Sequence, residues 1–264
     1  MRYRTLHRTI RALLRQACVA IAILALAVPV AQGGVSLSHT RLIISAKQPE
    51  ATPRVTNEAS QPVLLQVWID TGDRAADPQN IAVPFLVVPP ILRLEPAATQ
   101  RLRIMYTGRA GPPADRESVY WLNILEIPPK AGSPQTDLLQ ISFRTRVKLF
   151  FRPAGMPAAG LNAHEALRFE SRRQGQGSVL RITNPTPVHQ TLLDLAIGTG
   201  SRKDPAAKAL APPDMLKPWA SVDLPMGRGR PGQGAGTRVF YSVINDLGVV
   251  VEGVGTLTEA AGSK

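Results

Sequence analysis

Apolar residues in this chain occur in short runs, many of which alternate with polar residues, and Pro, Gly, Asn and Asp separate the runs. Beyond residue 33, no long stretch repeats its apolar positions with the 3.6-residue period of an α-helix. Short alternating runs bounded by turn residues are typical of β-strands, and a long succession of them indicates a β-sandwich. The sequence therefore predicts an all-β protein.

Two series of predicted strands lie on either side of a segment rich in Pro, Gly and Ala, residues 152–160. The first series has the strand number of one immunoglobulin-like domain: Val35–Ile44, Pro53–Asn57, Pro62–Asp70, Leu86–Val88, Thr99–Thr107, Ser118–Ile127 and Leu138–Phe151. The second series is Leu167–Glu170, Ser178–Asn184, Thr191–Ile197, Met215–Lys217, Ala220–Leu224, Arg238–Ile244 and Val249–Leu257. We place the domain boundary in the segment between them, which gives predicted domains at residues 34–153 and 154–264.

Residues 1–33 have the three regions of a secretory signal peptide. Five arginines precede an apolar run from Ala17 to Val30, and small residues follow it. Because this run is shorter than the roughly 18 residues that span a bilayer, we predict cleavage before Gly34 and export, over an uncleaved membrane anchor. Cys18, the only cysteine, lies inside the peptide, so the mature chain would have no disulfide and no thiolate chemistry.

The formal net charge of the whole chain is +12, and the chain without the signal peptide remains basic. Its Lys and Arg residues are scattered among the predicted strands instead of clustering beside aromatic residues, which together with export argues against a nucleic-acid partner. A mildly positive protein favours an acidic partner.

A hydrolase is the main alternative among enzymes, but the sequence has no Gly-x-Ser-x-Gly turn and no histidines at metal-ligand spacing. His39, His164 and His189 are far apart along the chain, and only the fold could bring them together in a triad. We therefore predict no catalytic residue, no metal, no cofactor and no small-molecule substrate.

The run Leu138–Phe151 would form an unusually long strand, because at about 3.3 Å per residue it reaches roughly 45 Å. Leu139, Ile141 and Phe143 fall on one of its faces and polar residues fall on the other. These three side chains either face the core of their own domain or are presented to another chain. Exposed apolar strand edges are normally blunted, so an edge that is kept would serve to pair with a partner.

Several segments, taken in order, resemble the periplasmic pilus-assembly chaperones of the chaperone–usher pathway. The matching segments are residues 35–41, 62–70, 89–96, 115–129, 147–153, 182–187 and 244–248. The resemblance runs from about Val35 almost to the C-terminus. It implies two immunoglobulin-like domains with a cleft between them, a periplasmic location, and fimbrial subunits and an outer-membrane usher as partners.

The resemblance also implies roles for individual residues. Arg41 and Lys148 match the two cations that bind the C-terminal carboxylate of a pilus subunit at the base of the cleft. Leu139, Ile141 and Phe143 match the side chains that fill the groove of a subunit lacking its last strand. The segment between Pro129 and Leu139 is short, which is similar to the short-loop subclass of the family.

Arg103, Glu117 and Arg152 match three charges that form a salt-bridged cluster between the two domains in this family. The other alternative, beside a hydrolase, is an exported immunoglobulin-like binding or structural protein without a pilus partner. It predicts that Leu139, Ile141 and Phe143 are buried in their own domain and that Arg41 and Lys148 do not converge. Self-association of the free protein and the role of the Gly- and Arg-rich segment Met226–Gly236 stay open.

Overall fold

The computed structural model describes residues 34–108, 111–129, 141–156, 162–175, 177–202, 207–227 and 236–259. Within these ranges the helical segments are two short 3-10 turns, Pro78–Asn80 and Ala163–Ala166, and every other regular element is a β-strand. The predicted all-β fold class is therefore confirmed. None of the described residues forms a helix long and apolar enough to cross a membrane. The predicted signal peptide, residues 1–33, lies outside the described residues.

The first domain is built from strands β1 to β11. Their bounds are β1 Val35–Leu37, β2 Arg41–Ser45, β3 Glu50–Ala51, β4 Arg54–Asn57, β5 Val63–Asp70, β6 Phe85–Val88, β7 Ile91–Leu94, β8 Thr99–Arg101, β9 Arg103–Tyr106, β10 Ser118–Ile127 and β11 Phe143–Arg152. A five-stranded sheet has the order β2-β11-β10-β5-β7, and two three-stranded sheets have the orders β1-β4-β8 and β3-β9-β6. Their inward side chains form one hydrophobic core, which includes Ile44, Leu65, Ile104, Leu122 and Leu149.

Two predicted strands of this domain are each divided in the structure. The predicted strand Val35–Ile44 is β1, which pairs with β4, followed by β2, which pairs with β11 in the five-stranded sheet. The predicted strand Thr99–Thr107 is likewise β8 and β9, on either side of the fully buried Leu102. A chain that passes from one sheet to another keeps its alternation of side chains while its hydrogen-bond partners change, so the sequence pattern does not reveal the break.

The predicted strand Leu138–Phe151 corresponds to β11, which begins later, at Phe143. Ile141 and Ser142 precede it without strand pairing, and residues 130–140, which include the predicted site residue Leu139, lie outside the described residues. The neighbouring strand β10 has the bounds that the sequence predicts.

The second domain follows with strands β12 to β18. Their bounds are β12 Arg168–Gln174, β13 Gly177–Thr183, β14 Thr191–Gly198, β15 Lys208–Leu210, β16 Ser221–Gly227, β17 Arg238–Ile244 and β18 Val250–Glu259. They pair in the order β15-β14-β17-β18-β12-β13-β16 around a second core, which includes Leu180, Ile182, Leu195 and Tyr241. The segment Met215–Lys217 was predicted as a strand, but Leu216 makes a single isolated bridge with Gln190.

Two glycines of β18 leave room for aromatic rings of the second core. Gly253 and Gly255 alternate with the exposed Val254, so their missing side chains point inward. A Cβ atom at Gly253 would overlap the ring of Tyr241, and one at Gly255 would overlap the ring of Phe169. Both rings are almost completely buried. The small residues in β18 thus compensate for the large residues on the strands beside it.

We expect Gly255→Ala to lower the free energy of unfolding by about 1 to 3 kcal/mol, because the added methyl group displaces the ring of Phe169 in a packed core. Thermal unfolding followed by circular dichroism measures this change. Val254→Ala, on the solvent face of the same strand, should stay within about 0.5 kcal/mol of the wild type. Equal unfolding midpoints for Gly255→Ala and the wild type would contradict the packing argument.

Candidate functional site

The first half of β11 has one unpaired edge. On one side β11 pairs with β10 from Phe143 to Phe151, whereas β2 covers the other side only from Lys148 to Arg152. Among the described residues, Phe143–Val147 therefore has no strand on its second edge. Phe143 is 62% exposed and Ile141 is 56% exposed, so neither side chain is buried in the core of its own domain. The exposed strand edge thus carries apolar side chains, which is the kind of edge that proteins normally cover.

Alternation along β11 determines which way each side chain points. Val147 and Leu149 pack in or against the core of the first domain. Phe143 lies on the same face of the strand, since it is separated from them by an even number of residues, yet it is exposed. Phe143 therefore extends the row of core-facing side chains past the end of the core itself.

Arg41 and Lys148 lie side by side where the unpaired edge ends. β2 and β11 run parallel, and Arg41 is the residue of β2 directly opposite Lys148. Both side chains lie on the face of the sheet opposite to the core residue Leu42. The structure thus brings the two predicted cations together, contrary to what the alternative without a pilus partner predicts.

Arg41 is almost completely buried between the domains. Its Nη1 donates to the carbonyl of Ile244 in the second domain at 2.8 Å, and its guanidinium lies over the ring of Phe150 at 5.6 Å. Its buried Nε has no hydrogen-bond partner among the residues that the structure describes. Burial lowers the pKa of Arg41 from its ordinary value, although Asp246 and Glu117 oppose this effect. Arginine nevertheless stays charged in a protein, so a cation with an unused donor lies in this crevice.

Lys148 is also largely buried, with its side chain 11% exposed, and it has a partner from the second domain. Its Nζ lies 3.1 Å from Oδ1 of Asp214 and 5.5 Å from the centre of the Trp121 ring. Asp214 is 80% exposed, so this ion pair is well solvated on one side. Because solvent reaches the Asp214 side of the pair, the pair is partly screened and contributes only modestly to stability.

A buried cluster of charges joins the two domains beside these cations. Arg152 donates through Nε to Glu117 at 2.8 Å and through both terminal nitrogens to Asp246 at 2.6 and 2.8 Å. Glu117 also accepts from the backbone N–H of His189 and lies 2.8 Å from the Nδ1 atom of that ring. Burial disfavours the charged form of Arg152, but its bonds to Asp246 and Glu117 outweigh burial and raise its pKa. The cluster therefore fixes the first domain to the second through charge-assisted hydrogen bonds.

The structure corrects one predicted member of this cluster and adds two others. Arg103 lies on β9, where its Nε and Nη2 donate to the carboxylate of Glu50 at 2.9 and 2.8 Å on the surface of the first domain. The second domain instead contributes Asp246 and His189. Asp246 belongs to a segment that carried the family resemblance, but sequence spacing could not show that it would meet Arg152.

The charge cluster and Arg41 share a small crevice between the domains, which is also lined by Phe150, His164 and Gln190. In the part of the chain that the structure describes, no group of three or more His, Cys, Asp or Glu side chains is placed to hold a metal ion. The crevice therefore lies where the open strand edge ends, and two arginines and two carboxylates line it, with Lys148 next to Arg41 on the neighbouring strand.

Comparison with known families assigns both domains. Residues 34–157 match the family described as pili and flagellar-assembly chaperone, PapD N-terminal domain. Residues 162–254 match the family described as pili assembly chaperone PapD, C-terminal domain. The chain belongs to the PapD family of pilus-assembly chaperones. The family resemblance seen in the sequence is thus confirmed, whereas the short-loop subclass stays a prediction.

Curated relatives of this chaperone align over most of its length. It is 38% identical over 239 residues to the chaperone protein FimB/FhaD of Bordetella pertussis, and this alignment covers 89% of this chain and 92% of the relative. It is 37% identical over 222 residues to the probable fimbrial chaperone YadV of Escherichia coli, which covers 82% of this chain and 87% of that one.

Solved structures of such chaperones have the same fold. The crystal structure of the YadV chaperone aligns with a TM-score of 0.68 and 32% identity, covering 84% of this chain and 99% of that chain. A complex of the SafA pilin with the SafB chaperone from Salmonella enterica aligns with a TM-score of 0.67 and 29% identity, and the alignment covers 85% of this chain and 96% of that chain. The predicted pair of immunoglobulin-like domains is therefore confirmed.

We expect Glu117→Gln to lower the free energy of unfolding of the chaperone by about 3 kcal/mol, because a buried ion pair loses one partner and Arg152 keeps its charge. Urea unfolding measures this change. Asp115→Asn removes an exposed carboxylate paired with Arg116 and is the matched control, for which we expect no measurable change. If the two variants unfold at the same urea concentration, the cluster does not stabilise the protein.

Proposed function

We propose that this chaperone holds pilus subunits by donor-strand complementation, in which β11 supplies the strand that an incomplete immunoglobulin-like subunit lacks. The observation that carries this proposal is the unpaired edge at Phe143–Val147, beside which Ile141 and Phe143 are exposed. Pairing with an extended segment of another chain satisfies such an edge, since the main chains supply hydrogen bonds and alternate side chains enter pockets. The SafA pilin in complex with the SafB chaperone, among the structural relatives, supports a pilus subunit as the partner.

Arg41 and Lys148 would bind the C-terminal carboxylate of the subunit. β2 begins at Arg41 and runs parallel to β11, so a subunit strand that pairs with the open edge in the same direction ends where β2 begins. Its terminal carboxylate then meets the two adjacent cations, and the free Nε of Arg41 is one available donor. Charge-assisted hydrogen bonds in a partly desolvated crevice are among the stronger polar contacts in proteins.

Ile141 and Phe143 would enter the open core of the subunit, together with Leu139, which lies outside the described residues. Because strand side chains alternate with a period of two, a slip of one residue would turn this row away from the subunit. The carboxylate anchor and the apolar row would together define a single register for the bound subunit.

Location and delivery follow from the same proposal. Residues 1–33 would direct export to the periplasm and be removed there, and the remaining chain contains no cysteine that an oxidising compartment could modify. The chaperone would pass its subunit to an outer-membrane usher and would catalyse no reaction. An exported immunoglobulin-like protein without a pilus partner is disfavoured, because it gives no reason for an exposed Phe143 beside an open edge.

Arg41→Ala and Lys148→Ala should each weaken binding of a fimbrial subunit by about 2 to 5 kcal/mol, since each removes one partner of a desolvated charge pair. Co-purification of the chaperone with a co-expressed fimbrial subunit of the same organism tests this expectation, with circular dichroism to verify folding. Asp214→Ala is the matched control, because it removes the partner of Lys148 but keeps the cation, and it should retain the complex. Retention of the subunit by both cation variants would remove these residues from the site.

Phe143→Ala should weaken subunit binding by about 2 to 3 kcal/mol, as expected for an aromatic side chain that is buried only in the complex. The stability of the free chaperone should hardly change, because Phe143 is exposed there. Competition between variant and wild-type chaperone for a limiting amount of subunit measures the difference. Leu86→Ala, at a side chain of β6 that is 50% exposed, should compete like the wild type, and equal competition by Phe143→Ala would argue that Phe143 does not enter the subunit.

A further inference from the structure

A carboxylate is buried on the outer face of the five-stranded sheet, where strands usually present polar side chains to water. Asp70 ends β5, and its side chain is 1% exposed. It lies opposite Trp121 of β10 and beside Asn123, which is also fully buried. A buried charge is costly unless partners surround it, so the contacts of this carboxylate indicate what it holds in place.

Two arginines of β11 converge on Asp70. Arg146 Nη2 donates to both carboxylate oxygens at 2.7 and 2.9 Å, and Arg144 Nη2 lies 3.3 Å from one of them. The amide of Asn123 and the backbone N–H of Gly72 complete the set of donors at 2.8 and 2.7 Å. The carboxylate therefore joins β5, β10 and β11 across the outer face of the sheet.

Each arginine is also fixed by other groups. The Arg144 guanidinium lies over the ring of Trp68 at 4.7 Å, and that of Arg146 lies over the ring of Trp121 at 4.8 Å. Arg144 further donates to the carbonyl of Arg74 at 2.7 Å, and both guanidinium groups donate to the side-chain oxygen of Asn123. Stacking on aromatic rings and several directed hydrogen bonds leave these side chains little conformational freedom.

The position of the two arginines along β11 is what connects them to binding. Arg144 and Arg146 lie within Phe143–Val147, the segment whose second edge has no strand among the described residues. The ladder with β10 holds this segment on one side only, whereas the second half of β11 lies between two strands. The contacts to Asp70 thus restrain a segment that strand pairing holds on one edge instead of two.

We propose that Asp70 is a positioning residue for the donor strand. Its carboxylate bridges Arg144 and Arg146 on the outer face and offsets one of their two positive charges. It so holds the side chains of the opposite face, which include Phe143, in one register for an incoming subunit. Without the carboxylate, two guanidinium groups would face each other on neighbouring positions of the same face and repel. This inference rests on the proposed function, since positioning matters only if β11 is the strand that the subunit pairs with.

Asp70→Asn keeps the shape of the side chain and removes its charge, so it is the direct test. We expect the amides of Phe143–Val147 that bond to β10 to exchange with deuterium at least tenfold faster in the free chaperone. Amides of β17 in the second domain should be unchanged and serve as the internal reference. The dissociation constant for a fimbrial subunit of the same organism that co-purifies with the wild-type chaperone should rise at least tenfold in the same variant.

Two further variants keep the test decisive. Arg144→Gln removes the more exposed of the two arginines together with its bonds to Asp70 and to the carbonyl of Arg74, so it should show both effects at smaller magnitude if Asp70→Asn does not fold. Leu102→Ala in the core destabilises the first domain without touching the cluster, and it should not raise exchange selectively at residues 143–147.

The outcomes separate the two levels of the proposal. Selective exchange at residues 143–147 together with weaker binding supports a positioning role. Unchanged exchange in both variants, or faster exchange with unchanged binding, overturns it while leaving the proposed function intact. If the wild-type chaperone retains no subunit, the proposed function fails and the positioning role falls with it, whatever the exchange rates show.

Discussion

The parallel pairing between β2 and β11 determines most of what this chaperone presents to its surroundings. β2 is half as long as β11, so its first residue marks the boundary between the paired and the open part of that edge. That first residue is Arg41, directly opposite Lys148. The edge and the cations are therefore consequences of one register, and a shift of that pairing would separate them.

The second domain closes one side of the cleft in which Arg41 lies. Arg152 lies four residues beyond Lys148 on the same face of β11, and it bonds to Glu117 of the first domain and Asp246 of the second. The hairpin that carries Asp246 also supplies the carbonyl of Ile244 to Arg41. In the same turn, a side chain at Gly248 would approach the hydroxyl of Thr40 to 2.6 Å. Domain docking and the burial of Arg41 therefore depend on the same few backbone positions.

Alternation and turn residues were sufficient to predict the all-β class and most strands, because these features depend on local sequence. The breaks at Ser38–Thr40 and at Leu102 were missed, since a strand that changes sheets keeps its alternation. The cations and the apolar row followed from resemblance to a family rather than from periodicity. Asp246 and His189 were missed because their partners lie more than seventy residues away, where spacing along the chain has no meaning.

The ion pair between Lys148 and Asp214 has a consequence for how binding responds to salt. A carboxylate of the chaperone already neutralises the lysine, and a subunit terminus that took its place would exchange one pair for another. Such an exchange leaves the number of ion pairs at Lys148 unchanged, whereas formation of a new pair would increase it. Ionic strength screens exposed charges in the free and the bound state alike, so its effects at this position partly cancel. The affinity of the proposed carboxylate anchor would then depend only weakly on the salt concentration.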